Sequence, residues 1–241
     1  MNALRSAVFV TVLYGLMPIM GILAVPLMVA PRSWTRAWFR FYLAMMFGTA
    51  KHVCGITYEV RGREHLPQGG ALVASKHHSM FETLAFWSIL PDPAIILKQS
   101  LAYLPFFGWV AMKLGNIAID RKGGAKALRK MLRDAAQKAK EGRQVLIFPE
   151  GTRVAPGENP EFKPGVVGLY NALDAPCVPV ALNSGLVWPA HGMMRKPGRI
   201  IVEFLPPIEP GLDKAAFLSE LHTRINTASD ALLPATEGRE E

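Results

Sequence analysis

A chain of 241 residues, half of them hydrophobic, is long enough to bury a full core, either as one domain with an appendage or as two small domains. Its formal charge of +8 suits anionic partners, a phosphate-bearing substrate or an anionic membrane surface; with no finger or aromatic-platform signature beside it, no nucleic-acid partner is expected. Two cysteines, Cys54 and Cys177, make no disulfide framework and no Cys/His spacing suits zinc, so reduced thiols in a cytosolic setting and no bound metal are expected.

Residues 7–30 hold no charged side chain, a length that crosses a hydrocarbon layer of about 30 Å as a helix. The bulk after Val25-Pro26-Leu27 supplies no clear small-residue cleavage site, so a cleaved signal peptide is not expected. Pro18, Gly21 and Pro26 interrupt the run, which tells against one straight spanning helix. Next, Arg32, Arg36 and Arg40 interleave with Trp34 and Trp38, the texture of an interface segment whose tryptophans sit at headgroup level while its arginines reach for phosphates. A second apolar stretch, 41–50, is too short to span and ends at Lys51. Two architectures fit: one spanning helix plus an interfacial one, or a helical hairpin dipping into one leaflet. Either brings the chain to membrane lipids; a buried helix pair in a soluble protein is the alternative. If the segment crosses once, the cations after it outweigh the lone Arg5, which places the remainder on the cytoplasmic side, as at a bacterial inner membrane.

From residue 56 the texture changes. Strands are expected at 57–61, 71–75, 94–97, 116–119, 145–148, 178–182 and 199–205, and helices at 80–90, 106–114, 125–141, 164–173 and 213–231. Such alternation predicts an α/β fold with a mostly parallel sheet flanked by helices. The expected organisation is a membrane-anchoring helical segment over 1–55, an α/β domain over 56–233 and a frayed tail over 234–241.

The apolar run 71–74 delivers His77 and His78, after which Ser79 opens a helix with Glu82 three residues on, the pattern of a capping box. Five helical steps of about 100° leave His77 and Glu82 off one face, so they meet only if His77 lies in the strand-to-helix turn. A carboxylate there would take one imidazole N–H, fix the tautomer and leave the other nitrogen as a general base. Read alone, the stretch is equally a capped helix behind two surface histidines, and adjacent histidines point apart rather than share a metal.

Three further strand ends belong beside it, because ligands of parallel sheets sit beyond the carboxyl ends of the strands. Gly115-Asn116-Ile117-Ala118-Ile119-Asp120-Arg121 ends in opposite charges that could simply pair. Phe148-Pro149-Glu150-Gly151-Thr152-Arg153 sets a carboxylate and a guanidinium around a glycine whose backbone admits an anion, with arginine able to hold phosphate through two N–H groups. Val178-Pro179-Val180 reads as a core strand.

In that order and spacing, His77-x4-Glu82, the segment ending in Asp120-Arg121, Phe148–Arg153 and Val178-Pro179-Val180 resemble the glycerolipid acyltransferase family. The resemblance runs from about Tyr58 to Val180, and the N-terminal apolar segment is also like the family. One departure stands out: the family's usual acid is Asp, and here Glu82 holds that position.

The resemblance implies transfer of a fatty acyl group from a thioester to the sn-2 hydroxyl of the lysophospholipid acceptor lysophosphatidic acid, giving phosphatidic acid. Acyl-CoA or acyl-carrier protein would be the donor and co-substrate, and no cofactor is expected. It implies His77 as general base, Glu82 as its orienting acid, and Arg153 with Glu150, Gly151 and Thr152 as the acceptor-binding group, Arg121 being a second cation. Lys98, Lys122 and Lys126 are candidates to receive an acidic carrier, or form a solvated face. Amides at the start of the Met80 helix are candidates to stabilise an oxyanion. Other readings remain: a different acceptor (glycerol 3-phosphate or a phosphate-free lysolipid), thioester hydrolysis, or a non-catalytic membrane-anchored lipid-binding module.

Overall fold

Short β-branched runs separated by helix-forming stretches build, in a computed structural model that describes residues 2–234, one seven-stranded sheet. Its strands are β1 (Ile56–Arg61), β2 (Ala71–Ser75), β3 (Pro93–Lys98), β4 (Ile117–Ile119), β5 (Gln144–Ile147), β6 (Cys177–Leu182) and β7 (Gly198–Phe204), in the order β1-β7-β6-β2-β5-β3-β4. Every pairing is parallel except β6 with β7. Five strands therefore point their carboxyl ends to one edge, and β2 lies among them with all five residues buried, as a strand covered on both faces must.

Alternation along β2 sorts the core into two layers. Leu72 and Ala74 face a cluster that takes in Met131 and Ala135 of α6 (Gly124–Lys140), Val166 and Leu169 of α7 (Gly165–Leu173), and Phe217 and Leu221 of α9 (Lys214–Ala231). Val73 faces the other cluster, with Phe81 and Phe86 of α3 (Met80–Ile89) and Val110 of α5 (Phe107–Lys113). Two single-turn helices, α4 (Gln99–Ala102) and α8 (Ser184–Val187), were not expected, because four residues are too few to show a helical period.

The N-terminal residues form two helices, α1 (Asn2–Leu23) and α2 (Arg32–Cys54), that run antiparallel. The Trp38 indole donates to the Met20 carbonyl (3.2 Å) and the Tyr42 hydroxyl to that of Leu13 (3.5 Å). Pro18 is carried inside α1 without ending it, and Gly55, at φ 69°, turns α2 into β1. The pair lies on the α/β body: Phe9 is wholly buried and meets the Trp188 ring edge-on at 5.1 Å. The outward face of α1 stays apolar, with Leu4, Val8, Tyr14, Ile19, Ile22 and Leu23 exposed. Residues 3–23 are long and apolar enough to cross a membrane.

The arginines after α1 are placed differently from the sequence expectation. Arg32 clasps Asp92 with two hydrogen bonds (2.8 and 2.5 Å) and Arg36 lies 3.3 Å from the same carboxylate, while Arg40 donates to the carbonyls of Trp87, Leu90 and Pro91. They fasten α2 to the body instead of reaching for lipid phosphates. For Arg32 and Arg36 the reason is electrostatic: burial would push the Asp92 carboxyl up, but Arg32, Arg143 and Arg36 hold it below its ordinary value. Of the expected frayed tail, residues 235–241 lie outside the described residues.

Candidate active site

Four loops meet at the carboxyl edge of the sheet, and the turn after β2 sits at their centre. Ser79 caps α3 by accepting from the Phe81 amide (3.0 Å), and Glu82 reaches back to the Ser79 amide (2.5 Å), completing the capping box. The same carboxylate does more than cap. Its Oε1 also accepts from the His78 amide (2.6 Å) and faces His77 Nδ1 at 2.8 Å; its Oε2 accepts from the hydroxyls of Ser184 (2.8 Å) and Ser79 (3.0 Å). Burial of this fully enclosed group would by itself raise its pKa. The hydrogen bond and charge of His77, then the Ser79 amide and the Ser184 hydroxyl, outweigh that and hold the carboxyl below its ordinary value.

An ionised Glu82 accepts from Nδ1–H, so Nε2 of His77 carries the lone pair. The ring lies flat on Phe148, centroids 4.0 Å apart and planes 16° from parallel, which fixes its second axis. Glu82 thus makes the dyad contact at hydrogen-bonding distance despite the extra methylene relative to aspartate. His78 has a different fate: it is buried, its Nδ1 meets the Val154 carbonyl at 2.9 Å, and burial pushes its pKa down. It joins the turn to the next loop as a neutral ring.

That loop, 148–154, follows β5. Gly151 sits at φ 72°, a left-handed conformation that glycine adopts without strain, and its amide closes the turn on the Phe148 carbonyl (3.0 Å). The Val154 amide donates to the His77 carbonyl (2.9 Å), so Arg153 is held next to the histidine turn. Thr152 and Arg153 are exposed. Arg121, arriving from the end of β4, donates to the Gly151 carbonyl (2.5 Å), and Asp120 accepts from the Lys122 amide (2.9 Å) instead of pairing with it. A cavity of about 370 Å³ opens here, bounded by Ile96, Ile119, Arg121, Phe148, Gly151 and Lys163.

Glu150, expected among the acceptor-binding residues, is enclosed beneath the loop. It is 2 % exposed, and its carboxylate sits 3.4 Å from the equally buried Lys76 ammonium. The three N–H groups of Lys76 donate to the Glu158 carbonyl (2.7 Å), Asn159 Oδ1 (2.8 Å) and Asn226 Oδ1 (2.8 Å), which leaves Glu150 a charge contact without a hydrogen bond. Burial pushes Glu150 up to about 7, against the opposing pull of Lys76. The pair ties the histidine turn, the 148–154 loop and α9 together from beneath.

Sequence reading missed Ser184 and Lys76. Each had a faint signal: a hydroxyl two residues past β6, and a lysine following directly on an apolar strand. The amides offered as oxyanion donors are partly committed elsewhere, those of His78 and Ser79 to Glu82 and that of Phe81 to the Ser79 hydroxyl.

Known proteins are similar to this chain in sequence and in fold. The profile of the family described as Acyltransferase matches residues 57–183. A 1-acyl-sn-glycerol-3-phosphate acyltransferase of Pseudomonas aeruginosa is 34% identical over 227 residues, 92% of this chain and 88% of that protein. The mouse 1-acyl-sn-glycerol-3-phosphate acyltransferase alpha is 32% identical over 170 residues, 69% of this chain and 60% of its own length. In fold, the crystal structure of the LPA acyltransferase PlsC of Thermotoga maritima superposes with a TM-score of 0.73 over 96% of this chain and 95% of that one, at 19% identity.

Two outcomes follow from the geometry. Ser184→Ala removes one of the five donors on Glu82; kcat is expected to fall about 10- to 100-fold with both KM values within about twofold, a charge-assisted hydrogen bond being worth about 1.5–3 kcal/mol. An unchanged kcat would show that Glu82 needs no support from α8. Glu150 has a folded pKa raised from 4.5 to about 7, so its ionisation removes stability as pH climbs through that window. Glu150→Gln lacks this titration. The Tm of the native protein relative to that variant should therefore fall between pH 4.5 and about 7; a difference that grows with pH would contradict the assignment.

Proposed function

The chain belongs to the acyltransferase family, and on that premise we propose that it transfers a fatty acyl group from a thioester to the sn-2 hydroxyl of lysophosphatidic acid, giving phosphatidic acid. The observation that carries the proposal is the His77–Glu82 contact of 2.8 Å, made in a turn whose backbone is hydrogen-bonded to the loop bearing Arg153. An imidazole base and an exposed guanidinium on adjoining loops suit an acceptor with an alcohol at one end and a phosphate at the other.

A hydroxyl is a poor nucleophile near neutral pH, and Nε2 of His77 takes its proton as the oxygen attacks the thioester carbonyl. Glu82 stabilises the imidazolium that develops and is already ionised, so no proton has to leave it. The tetrahedral intermediate collapses with cleavage of the C–S bond. The departing thiolate takes the proton back from Nε2, so that ester and free thiol leave and the base is regenerated. No enzyme-bound acyl group is needed, and the thioester supplies the driving force without a cofactor. Arg153, with Arg121 steadying the Gly151 carbonyl beside it, holds the phosphate; Gly151 and Thr152 shape the backbone there.

An acceptor with one acyl chain partitions into a bilayer, which suits the exposed apolar face of α1. Residues 1–55 are assigned to membrane attachment and 56–233 to the catalytic domain, with the site facing the cytoplasm where activated acyl groups are made.

His77→Ala should leave the fold intact and retain less than about 1% of the native rate, since a general base contributes about 10²–10⁴-fold. A folded variant above that level would remove His77 from the mechanism. Arg153→Ala should raise the KM for lysophosphatidic acid about tenfold or more with the donor KM unchanged, a charge-assisted pair to phosphate being lost. A shift confined to the donor would reassign the phosphate site. Running the same assay with glycerol 3-phosphate and a phosphate-free lysolipid tests the acceptor: faster turnover of either would replace lysophosphatidic acid.

A further inference from the structure

The donor's carrier has no place in the site described so far, and the outer face of α6 supplies one. This helix carries six cations and a single carboxylate. Lys126, Arg129, Lys130 and Arg133 are all exposed and follow the spacing i, i+3, i+4, i+7, so they form one stripe along the helix. Asp134 compensates only its far end, 2.5 Å from Lys130 and 3.6 Å from Arg133. The stripe borders a groove of about 770 Å³ whose other side is Gln99 and Asp120.

What lies behind the groove gives the stripe its meaning. Ile119 and Asp120 form a wall shared with the 370 Å³ cavity, and that cavity ends on Phe148, the ring against which His77 is stacked. The groove and the cavity thus adjoin at the end of β4, and the Phe148 ring stands between the cavity and His77. The layer that carries α6 is also opposite the one that carries the apolar hairpin, so the stripe does not continue the face assigned to lipid.

We propose that the α6 stripe docks an acidic acyl-carrier protein, whose thioester arm enters through the groove and the cavity behind it to reach His77 past the Phe148 ring. The proposal rests on the acyl-transfer reading above and names its donor partner. Its extent favours a protein over the phosphates of a nucleotide carrier. From Lys126 to Arg133 the cations cover about 10 Å of helix, and with Lys140, seven residues further on the same face, about 21 Å, at 1.5 Å per residue. That is the footprint of a second helix with carboxylates at matching intervals, longer than one diphosphate. Opposite charge of this kind steers encounter and is screened by salt.

The test is donor kinetics of the full chain and its Lys126→Glu/Arg129→Glu variant, neither residue being in an ion pair among the described residues. With acyl-carrier protein as donor, kcat/KM should fall at least tenfold at low ionic strength, and its decline with added salt should flatten. With acyl-CoA it should stay within twofold, and the acceptor KM should not move. The Lys126→Gln/Arg129→Gln variant should fall between. Unchanged carrier-protein kinetics would overturn the proposal, as would an equal loss with both donors, which assigns the stripe to nucleotide phosphates. Loss of binding to anionic vesicles with both donors unaffected assigns it to lipid and overturns the proposal too. If the native protein uses acyl-CoA but not the carrier protein, the docking proposal alone falls; if it uses neither, the acyl-transfer reading falls with it.

Discussion

A carboxylate enclosed in a protein interior is tolerable only when donors surround it, and Glu82 is the point from which the site is built. Its two oxygens collect the His77 ring, the amides of His78 and Ser79 and the hydroxyls of Ser79 and Ser184. Those donors come from the turn after β2, the cap of α3 and the helix after β6. Removing the carboxylate would take the shared acceptor from all of them at once, so the arrangement holds together as a unit. Glutamate in place of the family's aspartate fits this, since a capping-box residue at the third helical position must reach back across a full turn.

Support for the turn comes from below as well. Lys76 has one neighbour of opposite charge and three hydrogen-bond acceptors elsewhere, so the histidine turn, the 148–154 loop and α9 are fastened through one ammonium group. Glu150 is left with the weaker half of that arrangement. Its raised pKa records the cost of being buried without hydrogen-bond donors. The carboxylate that the sequence pattern sets beside Arg153 belongs to the foundation of the site, while Arg153 itself remains at the surface.

The sheet separates what the molecule must keep apart. One face carries the apolar hairpin, anchored through Phe9 within and apolar side chains without; the other carries α6 with its cations. Between them, the carboxyl edge gathers the reactive groups. On the acyl-transfer reading proposed above, this lets the lipid acceptor and the thioester donor approach the same imidazole from different sides.

Much of this was legible in the chain itself. Hydrophobic periodicity determined the strands and the longer helices, because burial on two faces leaves a continuous apolar run and burial on one leaves a helical stripe. Local rules also determined the capping box at Ser79 and Glu82, since it joins residues three apart. The His77 contact was posed by the sequence as a condition, and only the turn geometry met it. Tertiary structure alone decided the rest: that Arg32, Arg36 and Arg40 face the body, that Glu150 meets Lys76, and that Ser184 reaches Glu82 across 102 residues. These are pairings of polar groups distant in the chain, and a charge or hydroxyl has no periodicity that announces its partner. Which carboxylate finds which cation is set by how strands are ordered in the sheet, and that order is a property of the whole packed core.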